Sequence, residues 1–359
     1  HTLQERGQLE LATLLALTDT LVFKIILLIV GFVLLIKGAD LFVEGSSSIA
    51  KKLKVPSLII GMTIVAMGTS LPEAAVSVAA SMNNANSLAV SNVVGSNIFN
   101  LMMVLGICAI FNKLTVSKEV LKRDYPFSIF CAVLMIILGV FGFTEDGYGI
   151  NWEIDRGAGI LYLVLFVGFI VVLIVSAMKA RKKALESGVQ AERSLADEME
   201  EEVADHPVWK AIIFIVLGGV MIKFGGDWVV DGATAIASAL GVSDTIIGLT
   251  ICAVGTSLPE LVTSIVAARK NELEMAIGNV VGSNVFNILF VLGIAATISP
   301  IPFRMVNIID ICVLIAFSVL IYIFCISKKC ISRGEGISMV TLYAVFMVYV
   351  CLRETGMFG

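Results

Sequence analysis

Two carboxylates stand where a carboxylate is costly. Glu73 and Glu260 lie in long apolar stretches, and each ends the same six residues: Gly68-Thr69-Ser70-Leu71-Pro72-Glu73 and Gly255-Thr256-Ser257-Leu258-Pro259-Glu260. Proline inside a helix removes a donor and clashes with the carbonyl four residues back. Glycine on the other side loosens the turn. The carbonyls near Ala66–Thr69, and Ala253 in the copy, are therefore expected to lose helical partners and turn inward. Thr69, Ser70, Thr256 and Ser257 add hydroxyls. The blocks Ser91-Asn92-Val93-Val94-Gly95-Ser96-Asn97-Ile98-Phe99-Asn100 and Gly278-Asn279-Val280-Val281-Gly282-Ser283-Asn284-Val285-Phe286-Asn287 add Ser96, Asn100, Ser283 and Asn287. Every candidate ligand is oxygen, with no thiol or imidazole. Such sets suit hard cations; Ca²⁺ takes roughly 6–8 oxygens at about 2.3–2.6 Å. Two carboxylates neutralise one Ca²⁺ or two Na⁺, so the same oxygens serve competing ions at different times.

The elements that must hold these groups are membrane helices. Of 359 residues, 58% are apolar and 15% charged, against roughly 25% charged in soluble domains. Several apolar runs reach the roughly 20 residues that cross a bilayer. The reading is an all-α polytopic membrane protein of ten transmembrane helices. The spans run from about Leu21 into the 40s, then Val55–Ser81, Leu88–Phe111, Tyr125–Phe143 and Gly157–Met178. Beyond them come Trp209–Leu240, Val242–Ala268, Met275–Ile298, Met305–Ile326 and Ile337–Leu352. Residues 1–20 form a lead or interfacial segment, 21–178 a first five-helix repeat, 179–207 a charged linker and 208–359 a second five-helix repeat. A single cleavable signal does not account for apolar spans that fill the chain.

The two halves match at a constant offset of 187 residues from Asp40/Asp227 through Gly106/Gly293. Five spans separate the two motifs, an odd number, so they cross in opposite directions and the repeat is inverted. That arrangement places a transporter's site at the midplane between the halves. Basic residues gather in the loops after spans one, three, five, seven and nine: Lys51, Lys52 and Lys54; Lys113, Lys118, Lys122 and Arg123; Lys179, Arg181, Lys182, Lys183, Arg193 and Lys210; Arg269 and Lys270; Lys328, Lys329 and Arg333. The other side has chiefly Arg6, Arg156, Arg304 and Arg353. The basic side is read as cytoplasmic and both termini as outside.

Other features read more plainly. Asp40 and Glu44 recur as Asp227 and Asp231, four apart on one helix face; they serve either ion pairs near the interface or a cation route. The seven cysteines show no spacing for zinc or a redox pair and read as small apolar side chains. The net charge of −4 comes mostly from the linker, and nothing points to nucleic acid, a cofactor or an obligate protein partner. An intramembrane enzyme would need a nucleophile–base or metal set, and neither Ser70 nor Ser257 has a His or Lys in its motif. A channel is an alternative, although broken helices about an inverted two-fold favour alternating access. A proton-coupled exchanger would also use two glutamates; the only histidines, His1 and His206, lie outside the spans, so no imidazole relay is available.

The paired Gly-Thr-Ser-Leu-Pro-Glu and Gly-Ser-Asn-x-Phe-Asn blocks closely resemble the α-repeats of the Ca²⁺/cation antiporter superfamily, and the branch resembles the prokaryotic sodium/calcium exchangers. The resemblance covers nearly all of the chain from span one to span ten. It implies Na⁺/Ca²⁺ antiport in a plasma membrane, at about three Na⁺ per Ca²⁺, with a net charge moved at roughly 2.3 kcal/mol per 100 mV. It implies Glu73 and Glu260 as central ligands, completed by Thr69, Ser70, Thr256, Ser257, Ser96 and Ser283 and the carbonyls of Ala66 and Ala253, with Asn100 and Asn287 between the glutamates. Some relatives, the K⁺-dependent ones included, carry Asp where this chain has Asn287, so K⁺-independence is expected. The motif around the glutamates of the proton-coupled branch is absent. Ser91 stands where the pattern usually has Gly, as at Gly278, so packing in the two halves should differ there.

Overall fold

In a computed structural model the described residues are 21–83, 87–146, 149–186, 206–242, 251 and 253–354. The expectations for residues 1–20 and most of the charged linker lie outside them. Helix α1 is Leu21–Leu53, α2 Ser57–Thr69, α3 Leu71–Met82, α4 Ala89–Phe111, α5 Val120–Phe141 and α6 Arg156–Lys182 with its continuation to Glu186. In the second half α7 is Val208–Ala239, α8 Leu258–Arg269, α9 Leu273–Ile298, α10 Met305–Lys328 and α11 Arg333–Glu354. Eight of these helices are long and apolar enough to cross a membrane; α2 and α3, bent 47° apart, make a ninth span. The span expected over Val242–Ala268 contains α8, and residues 243–250 and 252 before it lie outside the described set. The chain is an integral membrane protein, its lipid-facing surface lined by exposed side chains such as Ile29, Val33, Val164, Val167, Ile212 and Val216.

Inversion is visible in the seam between α1 and α7. Glycines recur every seven residues, two turns of helix: Gly31, Gly38 and Gly45 on α1, Gly218, Gly225 and Gly232 on α7. A Cβ at Gly31 would meet the Gly225 carbonyl oxygen at 2.9 Å, one at Gly38 the Gly218 oxygen at 2.9 Å, and one at Gly45 the Ala211 oxygen at 2.6 Å. Partner numbers fall as residue numbers rise, so these sequence-equivalent helices run antiparallel. Small residues let the backbones touch, and dispersion then holds the pair where no hydrophobic drive between helices exists.

Several helices differ in extent from their apolar runs. α1 continues to Leu53 and α6 to Glu186, past Met178, because a helix persists beyond the bilayer wherever no breaker stops it. Span two is two helices, since Pro72 has no N–H to give and becomes a tolerated first-turn residue of α3. Strands, not expected from the sequence, clip loops together. β1 (Leu114–Thr115) pairs antiparallel with β5 (Cys330–Ile331). β2 (Phe143–Asp146) pairs with β3 (Gly149–Ile154), whose Glu153 and Ile154 also pair with β4 (Ile301–Pro302). β1 and β4 are twins at the 187 offset, but Ile154 precedes its counterpart Ile331 by only 177 residues. The β2–β3 hairpin thus contains ten extra residues in the first half. Cys108, Cys131, Cys325 and Cys330 are buried, in keeping with an apolar role.

A candidate cation site at two helix breaks

Each break has the same backbone. Ser70, at φ −87° and ψ 9°, separates α2 from α3; Ser257, at φ −95° and ψ 4°, separates the short helix Ala253–Gly255 from α8. Glu73 and Glu260 fall in the first turns of α3 and α8, where unpaired N–H groups and the helix dipole favour negative charge. Both glutamates are 0% exposed. The carbonyl of Ala66 does not lose its helical partner: Ser70 N–H donates to it at 3.0 Å, because the chain stays helical up to the serine. Ser283 Oγ also lies 3.5 Å from this oxygen. The carbonyl deprived by Pro72 is that of Gly68, four residues back. In the copy, Ser257 N–H donates to Val254 O at 3.1 Å; Ala253 begins the short helix before it.

Carboxylates and serines pair across the halves. Ser70 Oγ donates to Glu260 Oε1 at 2.7 Å, and Ser257 Oγ donates to Glu73 Oε1 at 3.1 Å. Ser96 Oγ lies 3.2 Å from Glu73 Oε1 and 2.8 Å from Ser257 Oγ. Thr69 Oγ1 lies 3.1 Å from Val65 O and 3.2 Å from Asn279 Oδ1. Neither break completes its own site.

Four asparagines lock α4 to α9. Asn97 Nδ2 donates to Asn284 O, and Asn284 Nδ2 to Asn97 O, both at 3.2 Å. Asn100 Nδ2 donates to Asn284 Oδ1 at 3.2 Å, and Asn287 Nδ2 to Asn97 Oδ1 at 3.1 Å. These bonds aim the amide nitrogens of Asn100 and Asn287 at protein, so their oxygens face the other way. Both residues open a π-helical turn, Asn100–Val104 and Asn287–Val291, of the kind frequent at functional sites. Sequence reasoning missed Asn97 and Asn284, although each recurs in its block three residues before a candidate ligand, on the same helix face.

The leftover atoms are telling. Among the described residues, four buried acceptor-only oxygens have no hydrogen-bond partner: Glu73 Oε2, Glu260 Oε2, Asn100 Oδ1 and Asn287 Oδ1. All four belong to candidate ligands and form two pairs of twins. Thr256 Oγ1 is also buried and unpartnered. A buried acceptor normally has a partner, and a carboxylate left uncompensated there is worse still. Among the described residues no ion pair reaches either glutamate. No group of three or more His, Cys, Asp or Glu gathers there either, so hydroxyls and amides must supply most of the oxygens. The arrangement suits a hard cation. Asp40 and Glu44 lie apart from it, in ion pairs: Lys270 Nζ is 3.7 Å from Asp40 Oδ1 and 3.6 Å from Glu44 Oε2, and His206 Nε2 is 2.5 Å from Glu44 Oε1.

The family model of the sodium/calcium exchanger protein matches residues 23–175 and 210–352. The chain belongs to this family. It is 34% identical over 342 residues to the sodium/calcium exchanger MaX1 of Methanosarcina acetivorans, covering 90% of this chain and 97% of that one. It is 40% identical over 276 residues to the putative antiporter CaxA of Alkalimonas amylolytica, covering 77% and 81%. The structure of the sodium-calcium exchanger NCX_Mj soaked with 2.5 mM Na⁺ and 0.1 mM Ca²⁺ matches with a TM-score of 0.75 at 30% identity, over 92% of this chain and 99% of that one. As a sodium/calcium exchanger family member the chain is a Ca²⁺/cation antiporter, and its inverted repeats place the two breaks at the meeting of the halves.

Proposed function

We propose that the chain exchanges Na⁺ for Ca²⁺ by alternating access, moving net charge and needing no K⁺. The observation that supports this is the set of four unpartnered acceptor oxygens on Glu73, Glu260, Asn100 and Asn287. One Ca²⁺ or two Na⁺ would neutralise the two carboxylates. The ligand set is Glu73, Glu260, Thr69, Ser70, Thr256, Ser257, Ser96, Ser283, Asn100 and Asn287, with the carbonyls of Ala66 and Ala253. With about three Na⁺ bound, one positive charge remains on the carrier, at roughly 2.3 kcal/mol per 100 mV. Asn287 contributes a neutral oxygen where a carboxylate would add charge, which favours a site without K⁺. The basic loops face the cytoplasm of a prokaryotic cell, with both termini outside. The two glutamates, lacking a cationic partner among the described residues, would also accept protons, so exchange of H⁺ for Ca²⁺ is the second reading.

Uptake of radiolabelled Ca²⁺ into Na⁺-loaded proteoliposomes tests this. Uptake is expected to need the Na⁺ gradient, to rise with an inside-positive potential and to ignore K⁺. Uptake driven by a pH gradient alone would install H⁺ as the coupling ion. A K⁺ requirement would sink the assignment at Asn287, and large unitary currents without a counter-ion would mean a channel.

A further inference from the structure

One turn beyond each glutamate, a second polar pair joins the same two helices. Ser77 follows Glu73 by four residues on α3, and Asn92 precedes Ser96 by four on α4, so both lie one turn from the site on the face that carries it. Asn92 Nδ2 donates to Ser77 Oγ at 3.0 Å and lies 3.4 Å from Glu73 O. The second half repeats this between α8 and α9: Asn279 Nδ2 donates to Ser264 Oγ at 2.9 Å and lies 3.5 Å from Glu260 O. Ser77, Ser264 and Asn279 are fully buried. A backbone carbonyl only accepts, so each amide must turn its nitrogen toward the glutamate and its oxygen away.

What that oxygen meets differs between the halves. Asn279 Oδ1 lies 3.2 Å from Thr69 Oγ1 of the opposite break, whose single proton it shares with Val65 O at 3.1 Å. The equivalent hydroxyl, Thr256 Oγ1, has no partner among the described residues. Asn279 therefore touches three parts of the site at once: the backbone of Glu260, the turn after it, and a hydroxyl of the other half. Among the described residues the hydrogen bonds of Asn92 stay within its own half.

We propose that Asn92 and Asn279 are positioning residues for ion exchange. Each fixes the rotation of its glutamate helix against the helix that follows, and Asn279 alone also holds the Thr69 hydroxyl, so Asn279 sets how tightly the site grips its cations. This rests on the reading of the two breaks as the exchange site. A pair that only glued helices together would act on stability and not on ion dependence, and the two asparagines would count equally.

The test is Na⁺-dependent uptake of radiolabelled Ca²⁺ by the full chain in proteoliposomes, titrated in Ca²⁺. The variants are N279A, N92A, S264A and S264A/N279A, with E260Q as the control. N279A is expected to raise the half-maximal Ca²⁺ concentration roughly tenfold, the loss of one to two net hydrogen bonds, with the maximal rate within about twofold. N92A and S264A are each expected to raise it roughly threefold, and S264A/N279A to match N279A, since both changes break one rung. An unchanged half-maximal concentration in N279A, with only the melting temperature or maximal rate lowered, overturns the proposal. So does N92A equalling N279A. If N279A does not fold, S264A decides, and a wild-type Ca²⁺ titration in it overturns the proposal. Uptake that survives in E260Q would instead remove the reading of the site itself.

Discussion

α3 and α8 begin with the same three residues, Leu-Pro-Glu, break from their predecessors at nearly the same backbone angles and carry a buried glutamate in the same turn. Their surroundings differ. α1 lies along α8, and Lys270 at the end of that helix reaches back to Asp40 and Glu44 on α1. No comparable packing of α7 on α3 occurs among the described residues. Leu71 and Val76 on α3 are 58% and 45% exposed, whereas Thr263, the twin of Val76, is 0% exposed. The twin of Lys270 is Asn83, whose side chain bonds its own helix at Ala79 O, 2.9 Å away. α8 is sealed and pinned by charge at its end; among the described residues α3 is neither. Identical local sequence sets the break, and the neighbour that a helix acquires sets its exposure.

The largest effect is expected where the halves must be equal. Glu73→Gln and Glu260→Gln each remove one of two charges that no cationic side chain among the described residues compensates. Each is expected to cut exchange by about 10²-fold or more in the uptake assay, on the scale of losing half of a buried charge pair. Near-normal flux in either would end the two-carboxylate account.

Next come the glycines that follow the asparagine rungs. A Cβ at Gly282 would meet Met62 Cα at 2.7 Å and Ala66 Cβ at 2.8 Å, while among the described residues nothing lies within 4 Å of one at Gly95. Gly282→Ala is expected to cost about 1–3 kcal/mol through overpacking. Gly95→Ala should be neutral or slightly stabilising, because alanine is the better helix former. Thermal unfolding in detergent reads both, and equal shifts would contradict the packing difference. The same contrast explains why Ser91 is tolerated: it is exposed, whereas a Cβ at its twin Gly278 would meet Leu58 O at 2.5 Å.

The smallest effect belongs to the pinned end. Lys270→Asn makes it match its twin. The pairs are partly exposed, so about 0–1 kcal/mol is at stake. Hydrogen exchange of the last turn of α8 is expected to speed up a few-fold while that of α3 stays the same; unchanged exchange in α8 would show that packing alone seals this end.

Much of the site was legible because polar residues in apolar spans are conspicuous. Glu73, Glu260 and their hydroxyl neighbours announce themselves by type, and the offset of 187 doubles the signal. Less legible was which atoms meet. Ser70 serves Glu260 and Ser257 serves Glu73, a crossing that exists only once the breaks face each other. The Asn97–Asn284 lock and the Asn279–Thr69 contact have the same origin. The Ala66 carbonyl was expected to lose its helical partner and keeps it, because the proline acts four residues back, on Gly68, and leaves the turn before it intact. The long ends of α1 and α6 were missed because the bilayer limits an apolar run and not a helix.

The apolar spans, the two breaks and the oxygen-only choice of ligands are written in the sequence. Those follow from hydrophobic length, from proline's missing N–H and from side-chain chemistry, all of which act within a few residues. The tertiary structure decided which serine holds which carboxylate, which amide oxygens remain free, and which end of the bundle is sealed. These depend on contacts between residues roughly 187 positions apart, made only when two inverted halves pack against each other in lipid, where every backbone polar group must already be satisfied.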